Sequence, residues 1–476
     1  MSSLPETIRQ TLTTFHQQPL LQALQSLPVP DQHRLLQQIQ TVDFQMLRDT
    51  WQAALADTPS EHAVHRPAQA RAPRNVVRQP TSASDSDVWA QAIRGGEQAL
   101  QNGQVAVITV AGGQGTRLGF EHPKGMFPIG PVTNRTLFQV FAEQILARRR
   151  RHHSAIPWLI MTSDATHHET VRFFEFQSYF GLEPDSVVFF QQGSLPALDA
   201  ATGQLLLASP TELALSPDGH GGLIMALQNA GLLTRLHDEG VRHLFYHQVD
   251  NPTAIVADPA LIGFHCLHQS QLTTSVVCKD SPTERMGVLV DIEGHTEIIE
   301  YSELTPEEAA RCDDSGQWIF WAGNTAIHVF DLAFLQGLTG KGRQLPLHVA
   351  RKNVPWVNTD GVLVQPNDPN RPNAIKLERF IFDALPMATR TLIIEGDRTR
   401  EFNPVKNKSG KDSAETSQAA LNRIGHQWLQ QAGCAVPANS VVEISPLQAL
   451  DAPELQQRLA SGHLQLSDIA TRTPQA

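Results

Sequence analysis

The run AGGQGTRLG (Ala111–Gly119) limits the possible folds of this chain more than any other segment, because it follows directly on the apolar stretch Val105-Ala106-Val107-Ile108-Thr109-Val110. That stretch, rich in β-branched residues, has the character of a parallel strand buried on both faces. The four glycines that follow in nine residues let the backbone turn sharply and bring N–H groups up to an anion. Arg117 within the run, and Lys124 in the following Pro123-Lys124-Gly125, add positive charge at the same point. Two commoner phosphate loops are excluded. No Gly-Lys-Ser/Thr closes the run as in a Walker loop, and Gly119 falls one residue late for a dinucleotide GxGxxG.

Further short apolar runs occur at Trp158–Met161, Val187–Phe190, Leu244–Val249 and Thr273–Val277, with helical patterns between several of them. Leu137, Phe141 and Ile145 make one stripe, and 166–180 fits another helix. Alternating strands and helices predict an α/β fold: a Rossmann-like, mostly parallel sheet with ligands at the carboxyl ends of its strands. This core is expected over 103–385. A helical N-terminal region and linker fill 1–102, and a small mixed C-terminal domain fills 386–476. In the first part, Asp31 is a plausible N-cap for one amphipathic helix through Leu35, Ile39, Val42 and Met46. Residues 58–87 carry Pro, Ser, Ala and Arg without periodicity and read as a linker or surface-hugging segment. Arg148–Arg151 end a helical pattern, where cations complement the dipole, and receive no site role.

Charge narrows the function. With 37 basic against 48 acidic side chains the net charge is −11, which argues against a nucleic-acid partner while leaving room for a local phosphate pocket. No stretch approaches the roughly 20 consecutive apolar residues of a bilayer span, and the first residues lack a signal-peptide core. Four scattered cysteines without a CxxC pair suit reduced thiols, so cytoplasm is the expected compartment. The histidines form no HExxH.

The run AGGQGTRLG with Pro-Lys-Gly resembles the signature of sugar-nucleotide pyrophosphorylases, and is most similar to the UTP-using group that contains UDP-N-acetylglucosamine pyrophosphorylase. The likeness continues in order through FFQQG (Phe189–Gly193), SPDGHGG (Ser216–Gly222), VDNP (Val249–Pro252), EYSE (Glu300–Glu303), AGN (Ala322–Asn324), NAIKLERFIFD (Asn373–Asp383) and NPVKN (Asn403–Asn407). It spans about 85–445. The resemblance implies a GT-A-like nucleotidyltransferase core and a magnesium-dependent transfer of uridylyl from UTP to a sugar 1-phosphate, releasing pyrophosphate.

Such a reaction brings two polyanions together, so positioning and charge neutralisation carry most of the rate. Ala111, Gly112 and Gly113 are the expected phosphate cradle. Asp250, closing the strand Leu244–Val249, suits Mg²⁺, a hard ion that prefers oxygen ligands and bridges phosphates; a surface turn at Asp250-Asn251-Pro252 is the plain alternative. The resemblance further implies that Arg117 and Lys124 neutralise pyrophosphate, that Gln192 and the Gly219 backbone read uracil, and that Glu300, Tyr301 and Asn324 meet the sugar. Lys376 and Lys406 match basic residues that contact phosphates, with Lys406 also at the sugar side. In SPDGHGG the glycines suggest close approach to a flat ligand. One departure falls in that loop: His220 stands where acetylglucosamine-using members usually place Asn. N-acetylglucosamine 1-phosphate is the favoured substrate, with glucose 1-phosphate or a broad sugar range as the alternative. A non-catalytic UDP-sugar binder and a glycosyltransferase are the competing classes. The only Asp-x-Asp, Asp85-Ser86-Asp87, precedes the first core strand, which disfavours the glycosyltransferase.

Overall fold

Alternating strands and helices through the middle of the chain build a ten-stranded sheet in the computed structural model, which describes residues 4–56, 66–340, 342–358, 361–366, 368 and 370–472. The strands are β1 (Val76–Val77), β2 (Val105–Val110), β3 (Trp158–Thr162), β4 (Val187–Gln191), β5 (His243–Gln248), β6 (Leu272–Cys278), β7 (Val288–Ile292), β8 (His295–Ile299), β9 (Ala322–Asp331) and β10 (Thr391–Glu395). Their order is β1-β10-β6-β9-β5-β2-β3-β4, with the β7–β8 hairpin attached to β9. β5, β2, β3 and β4 run parallel, as do β1, β10 and β6; β9 runs antiparallel between β5 and β6. The sheet is mixed α/β and mostly parallel, as predicted, and all five strands read from the sequence are present.

The chain folds into two units, each assembled from separate stretches of sequence. The larger comprises 65–191, 226–343 and 384–476 and contains the whole ten-stranded sheet. Its core is built from the inward side chains of β2 and β3, such as Val107, Trp158 and Ile160, with Leu137, Phe138 and Phe141 of the helix Leu137–His152. The smaller unit comprises 1–64, 192–225 and 344–383. Within it Leu12, Leu20, Leu24, Leu35, Ile39 and Leu47 share one core with Leu198, Leu207, Ile375 and Leu377. The sequence boundaries at 102 and 385 follow changes of pattern along the chain, whereas these units are defined by which segments pack together. β10, beyond 385, lies inside the central sheet. Residues 414–472 add a helix, Ala414–Gln431, and a two-stranded sheet around a core of Leu429, Val442, Leu455 and Ile469.

Several local expectations are corrected. The N-terminal stripe is two helices, Val29–Gln40 and Phe44–Leu55, because Asp43 caps the second by accepting the Met46 N–H at 3.0 Å. Asp31 sits inside the first turn and is not its cap. Of the expected linker, 57–65 lies outside the described residues. The remainder holds β1 and the start of a helix, Ala83–Gln101, fixed by a Ser82/Asp85 capping box that hydrophobic periodicity does not reveal. The helix predicted over 166–180 covers Asp164–Phe176 and stops before Ser178, Tyr179 and Phe180, which all have positive φ. Arg149, Arg150 and Arg151 stand in the last turn of the helix Leu137–His152, as expected, but Arg148 precedes that turn. It is 3 % exposed and donates to the Val256 carbonyl.

The helix Ala83–Gln101 crosses Pro259–Leu267 at backbone contact. A Cβ on Gly96 would lie 1.9 Å from the Pro259 oxygen, and one on Gly263 would lie 1.7 Å from the Ala92 oxygen. Only glycine permits that approach. We expect Gly263→Val to destabilise the protein by about 3 kcal/mol, read from the midpoint of urea unfolding; an unchanged midpoint would contradict this packing.

Candidate active site

β5 and β2 are parallel neighbours in register, Gln248 opposite Val110, so the residues that follow each strand emerge side by side. After β2 comes the glycine-rich turn, and after β5 comes Asp250. The Val249 N–H donates to the Val110 carbonyl at 3.1 Å, tying the two exits together. The turn folds back on itself: the Lys124 N–H donates to the Gly113 carbonyl at 3.0 Å and the Gly115 N–H to the His122 carbonyl at 2.9 Å. The Ser163 hydroxyl donates to the Gly112 carbonyl at 2.8 Å. Among the described residues the N–H groups of Gly112 and Gly113 have no hydrogen-bond partner. A Cβ on Gly113 would meet no atom within 4 Å. Gly113 is exposed and Gly112 half-buried, so two amides without an internal partner stand at the surface of the turn, as a phosphate cradle requires. The Ala111 N–H is different, since it donates to the Met161 carbonyl at 2.8 Å, which leaves only the Ala111 carbonyl for a ligand.

Lys124 is carried back from this turn onto Asp250. Its Nζ donates to Asp250 Oδ2 at 3.1 Å, with side chains only 17 % and 15 % exposed. Burial alone would raise the Asp250 carboxyl, but Lys124 and Lys406 outweigh it and hold the group below the ordinary carboxylate range. Lys406 reaches this position because the Val405 N–H donates to the Asp250 carbonyl at 2.8 Å. The N–H groups of Lys406 and Asn407 both donate to the Asp412 carbonyl, at 2.6 and 2.9 Å, which closes the lysine-rich loop. Arg117 is exposed on the glycine-rich turn and makes no ion pair among the described residues. The motifs thus pointed to a group that the structure brings together: Gly112, Gly113, Lys124, Asp250 and Lys406.

No group of three or more His, Cys, Asp or Glu able to hold a metal occurs among the described residues. Asp250 is a single carboxylate kept ionised beside free amides. That donor set fits a hard divalent ion that takes most of its ligands from water and phosphate oxygens.

A second cluster lies at the same edge of the sheet, because antiparallel β9 begins where its parallel neighbours end. The Asn324 N–H donates to the Gly287 carbonyl at 2.9 Å, and a Cβ on Gly287 would sit 2.8 Å from Glu300 Oε1. Glu300 and Asn324 therefore flank one glycine. Asn324 Oδ1 accepts the N–H of Ala326, a residue at φ 58° within an irregularity in the β6–β9 register. Tyr301 is 46 % exposed.

Gln192, Gly219, His220 and Lys376 belong to the smaller unit. The Gln192 amide makes no hydrogen bond among the described residues, and Lys376 alternates with the core residues Ile375 and Leu377 on one strand. The glycines of SPDGHGG approach the chain's own backbone. The Gly221 N–H donates to the Arg379 carbonyl at 2.8 Å, the Arg379 N–H donates to the Asp218 carbonyl at 2.7 Å, and a Cβ on Gly219 would lie 2.5 Å from the Arg379 oxygen. His220 stacks on Phe380, and its Nδ1 accepts the Ile381 N–H at 3.1 Å. Burial pushes its pKa down to about 4, so the ring is neutral and its proton sits on Nε2.

Three residues here were given no site role from the sequence. Asn251, read as part of a turn, is 4 % exposed and hydrogen-bonded to the Lys406 segment. Lys408 lies along Gly119, its Nζ 3.7 Å from where a Cβ would stand. Asp218 is pushed up to about 6 by burial, and its Oδ1 has no partner among the described residues. Asn251 and Asp218 stand inside VDNP and SPDGHGG, where no site role was read for them, and Lys408 is a third cation just after NPVKN.

The family model for UTP–glucose-1-phosphate uridylyltransferase matches residues 56–440. The chain belongs to that family. It is 37 % identical over 372 residues to the UDP-N-acetylglucosamine pyrophosphorylase of Saccharomyces cerevisiae, covering 76 % of this chain and 77 % of the yeast one. It is 32 % identical to the human UDP-N-acetylhexosamine pyrophosphorylase-like protein 1, covering 99 % and 98 %. The crystal structure of the uridine diphosphate N-acetylglucosamine pyrophosphorylase from Trypanosoma brucei in complex with inhibitor superposes with a TM-score of 0.81 at 27 % identity, over 97 % of this chain and 96 % of that one. Among the described residues no helix is long and apolar enough to cross a membrane.

The neutrality of His220 is directly measurable. Its ¹⁵N imidazole shifts should report the neutral Nε2–H tautomer at pH 5.5, since a pKa of about 4 leaves little cation there. Protonation with a midpoint above pH 6 would contradict the packing of the ring.

Proposed function

We propose that this chain is a uridylyltransferase that converts UTP and N-acetylglucosamine 1-phosphate to the UDP-sugar and pyrophosphate, with Mg²⁺ as its divalent ion and the cytoplasm as its compartment. The observation that carries the reading is that Gly112 and Gly113, whose amides have no partner among the described residues, follow the strand next to the one that ends at Asp250, a mostly buried carboxylate on which Lys124 and Lys406 bear. Backbone donors and two cations around one carboxylate suit a triphosphate held with its counter-ion.

The chemistry follows from that placement. An oxygen of the sugar 1-phosphate attacks the α-phosphorus of UTP as the bond to the bridging oxygen breaks, and pyrophosphate carries away the negative charge. Gly112 and Gly113 hold phosphate oxygens through N–H groups that need no reorientation during the reaction. Lys124 and Arg117 are assigned to the departing pyrophosphate, whose growing charge they would stabilise. Lys406 offsets the repulsion between the incoming phosphate and UTP. Asp250 would hold the divalent ion, which when bound would neutralise negative charge on the phosphates. Gln192 and the Gly219 backbone are assigned to uracil, Glu300, Tyr301 and Asn324 to the sugar, and Lys376 to phosphate. His220, held by Ile381 and Phe380, offers its Nε2–H as the group nearest the question of which sugar is used.

Purified protein with UTP, Mg²⁺ and N-acetylglucosamine 1-phosphate should release pyrophosphate, in preference to reactions with glucose or galactose 1-phosphate. Asp250→Ala should lower kcat by at least about 1000-fold with the circular-dichroism spectrum retained. Absence of pyrophosphate across the sugar panel would overturn the activity. Near-normal turnover of Asp250→Ala at limiting Mg²⁺ would remove Asp250 from the metal.

A further inference from the structure

The turn after β5 and the segment that carries Lys406 are joined by one buried amide. Asn251 Nδ2 donates to the Glu401 carbonyl at 2.6 Å. Its Oδ1 accepts from the Thr253 hydroxyl at 2.9 Å, the Asn403 N–H at 3.2 Å and the Thr253 N–H at 3.3 Å. Asn403 Nδ2 donates in turn to Thr253 Oγ1 at 3.1 Å. One residue before Asn251 stands Asp250, and three residues after Asn403 stands Lys406. The amide therefore joins the residue next to the carboxylate to the segment that leads to the cation bearing on it.

We propose that Asn251 is a positioning residue for catalysis, setting the backbone of Lys406 against Asp250. The inference rests on the placement of both residues at the substrates given above. Two further contacts argue that its role exceeds holding the fold. The Val405 N–H bond to the Asp250 carbonyl ties the same two segments without Asn251, and the Ser417 hydroxyl bond to the Asn403 carbonyl fastens the Lys406 segment to the helix Ala414–Gln431, both at 2.8 Å. Removing the amide leaves those anchors in place. What it releases is the transverse position of the stretch 401–405, and with it the reach of Lys406. Misplacement by about 1 Å of a group that neutralises charge is enough to cost about 100-fold in rate.

A double-mutant cycle separates positioning from general structural support, because residues acting through one another are non-additive. kcat is measured at saturating UTP, Mg²⁺ and sugar 1-phosphate for the wild type, Asn251→Ala, Lys406→Ala and the double variant, alongside KM for UTP. Asn251→Ala should lower kcat about 100-fold with little change in that KM. In the Lys406→Ala background the same substitution should cost less than about threefold. Thr253→Val removes one hydroxyl from the network at constant shape and should show the same non-additivity at about a tenfold loss; it carries the cycle if Asn251→Ala fails to fold. A loss of equal size with and without Lys406 would overturn the role of Asn251 alone. An unchanged kcat in Lys406→Ala would overturn the site assignment beneath it.

Discussion

The site depends on a charge that should be costly where it stands. Asp250 is largely removed from water at the end of a central strand, and a carboxylate there stays ionised only if cations repay its lost hydration. Lys124 does so directly at 3.1 Å, and Lys406 adds to it. Neither lysine is near Asp250 in sequence. One arrives because the glycine-rich turn doubles back through the Lys124–Gly113 bond, the other because Val405 bonds to the Asp250 carbonyl. The Lys124–Asp250 pair is held by the fold as a whole, not by residues adjacent in sequence. The turn, the strand exit and the lysine-rich loop are thus three parts of one electrostatic arrangement.

Packing explains the glycines in two distinct ways. At Gly113 the missing side chain leaves space outside the protein surface, where a ligand can meet the backbone. In SPDGHGG and at Gly263 the space is already filled by the protein itself, by the Arg379–Phe380 backbone in one case and by Ala92 in the other. Glycine content alone does not distinguish a cradle from a tight crossing. The free N–H groups do.

This difference marks what could be read in the sequence. The strands of the sheet were legible because β2, β3 and β5 are buried on both faces and so are largely apolar. Gly112, Gly113, Lys124, Asp250 and Lys406 were legible through their motifs, and Asp250 also through its place at a strand end. Asn251 was not, because an Asn before Pro has an adequate local explanation as a turn, while its bonds to Glu401 and Asn403 reach 150 or more positions along the chain. His220 was legible as a departure but not as a ring clamped by Phe380 and the Ile381 N–H. The split of the N-terminal stripe into two helices turns on one cap, Asp43, whose bond competes with continued helix in a way periodicity does not register.

If Gly112, Gly113, Lys124, Asp250 and Lys406 surround a single triphosphate and its ion, a crystal structure of the protein with UTP and Mn²⁺ will show it, with the metal located by anomalous scattering. One metal peak should be bonded to an Asp250 carboxylate oxygen and to phosphate oxygens, with the Gly112 and Gly113 amides within hydrogen-bond distance of the same triphosphate. A triphosphate bound away from these amides, or a metal peak not ligated by Asp250, would contradict that arrangement.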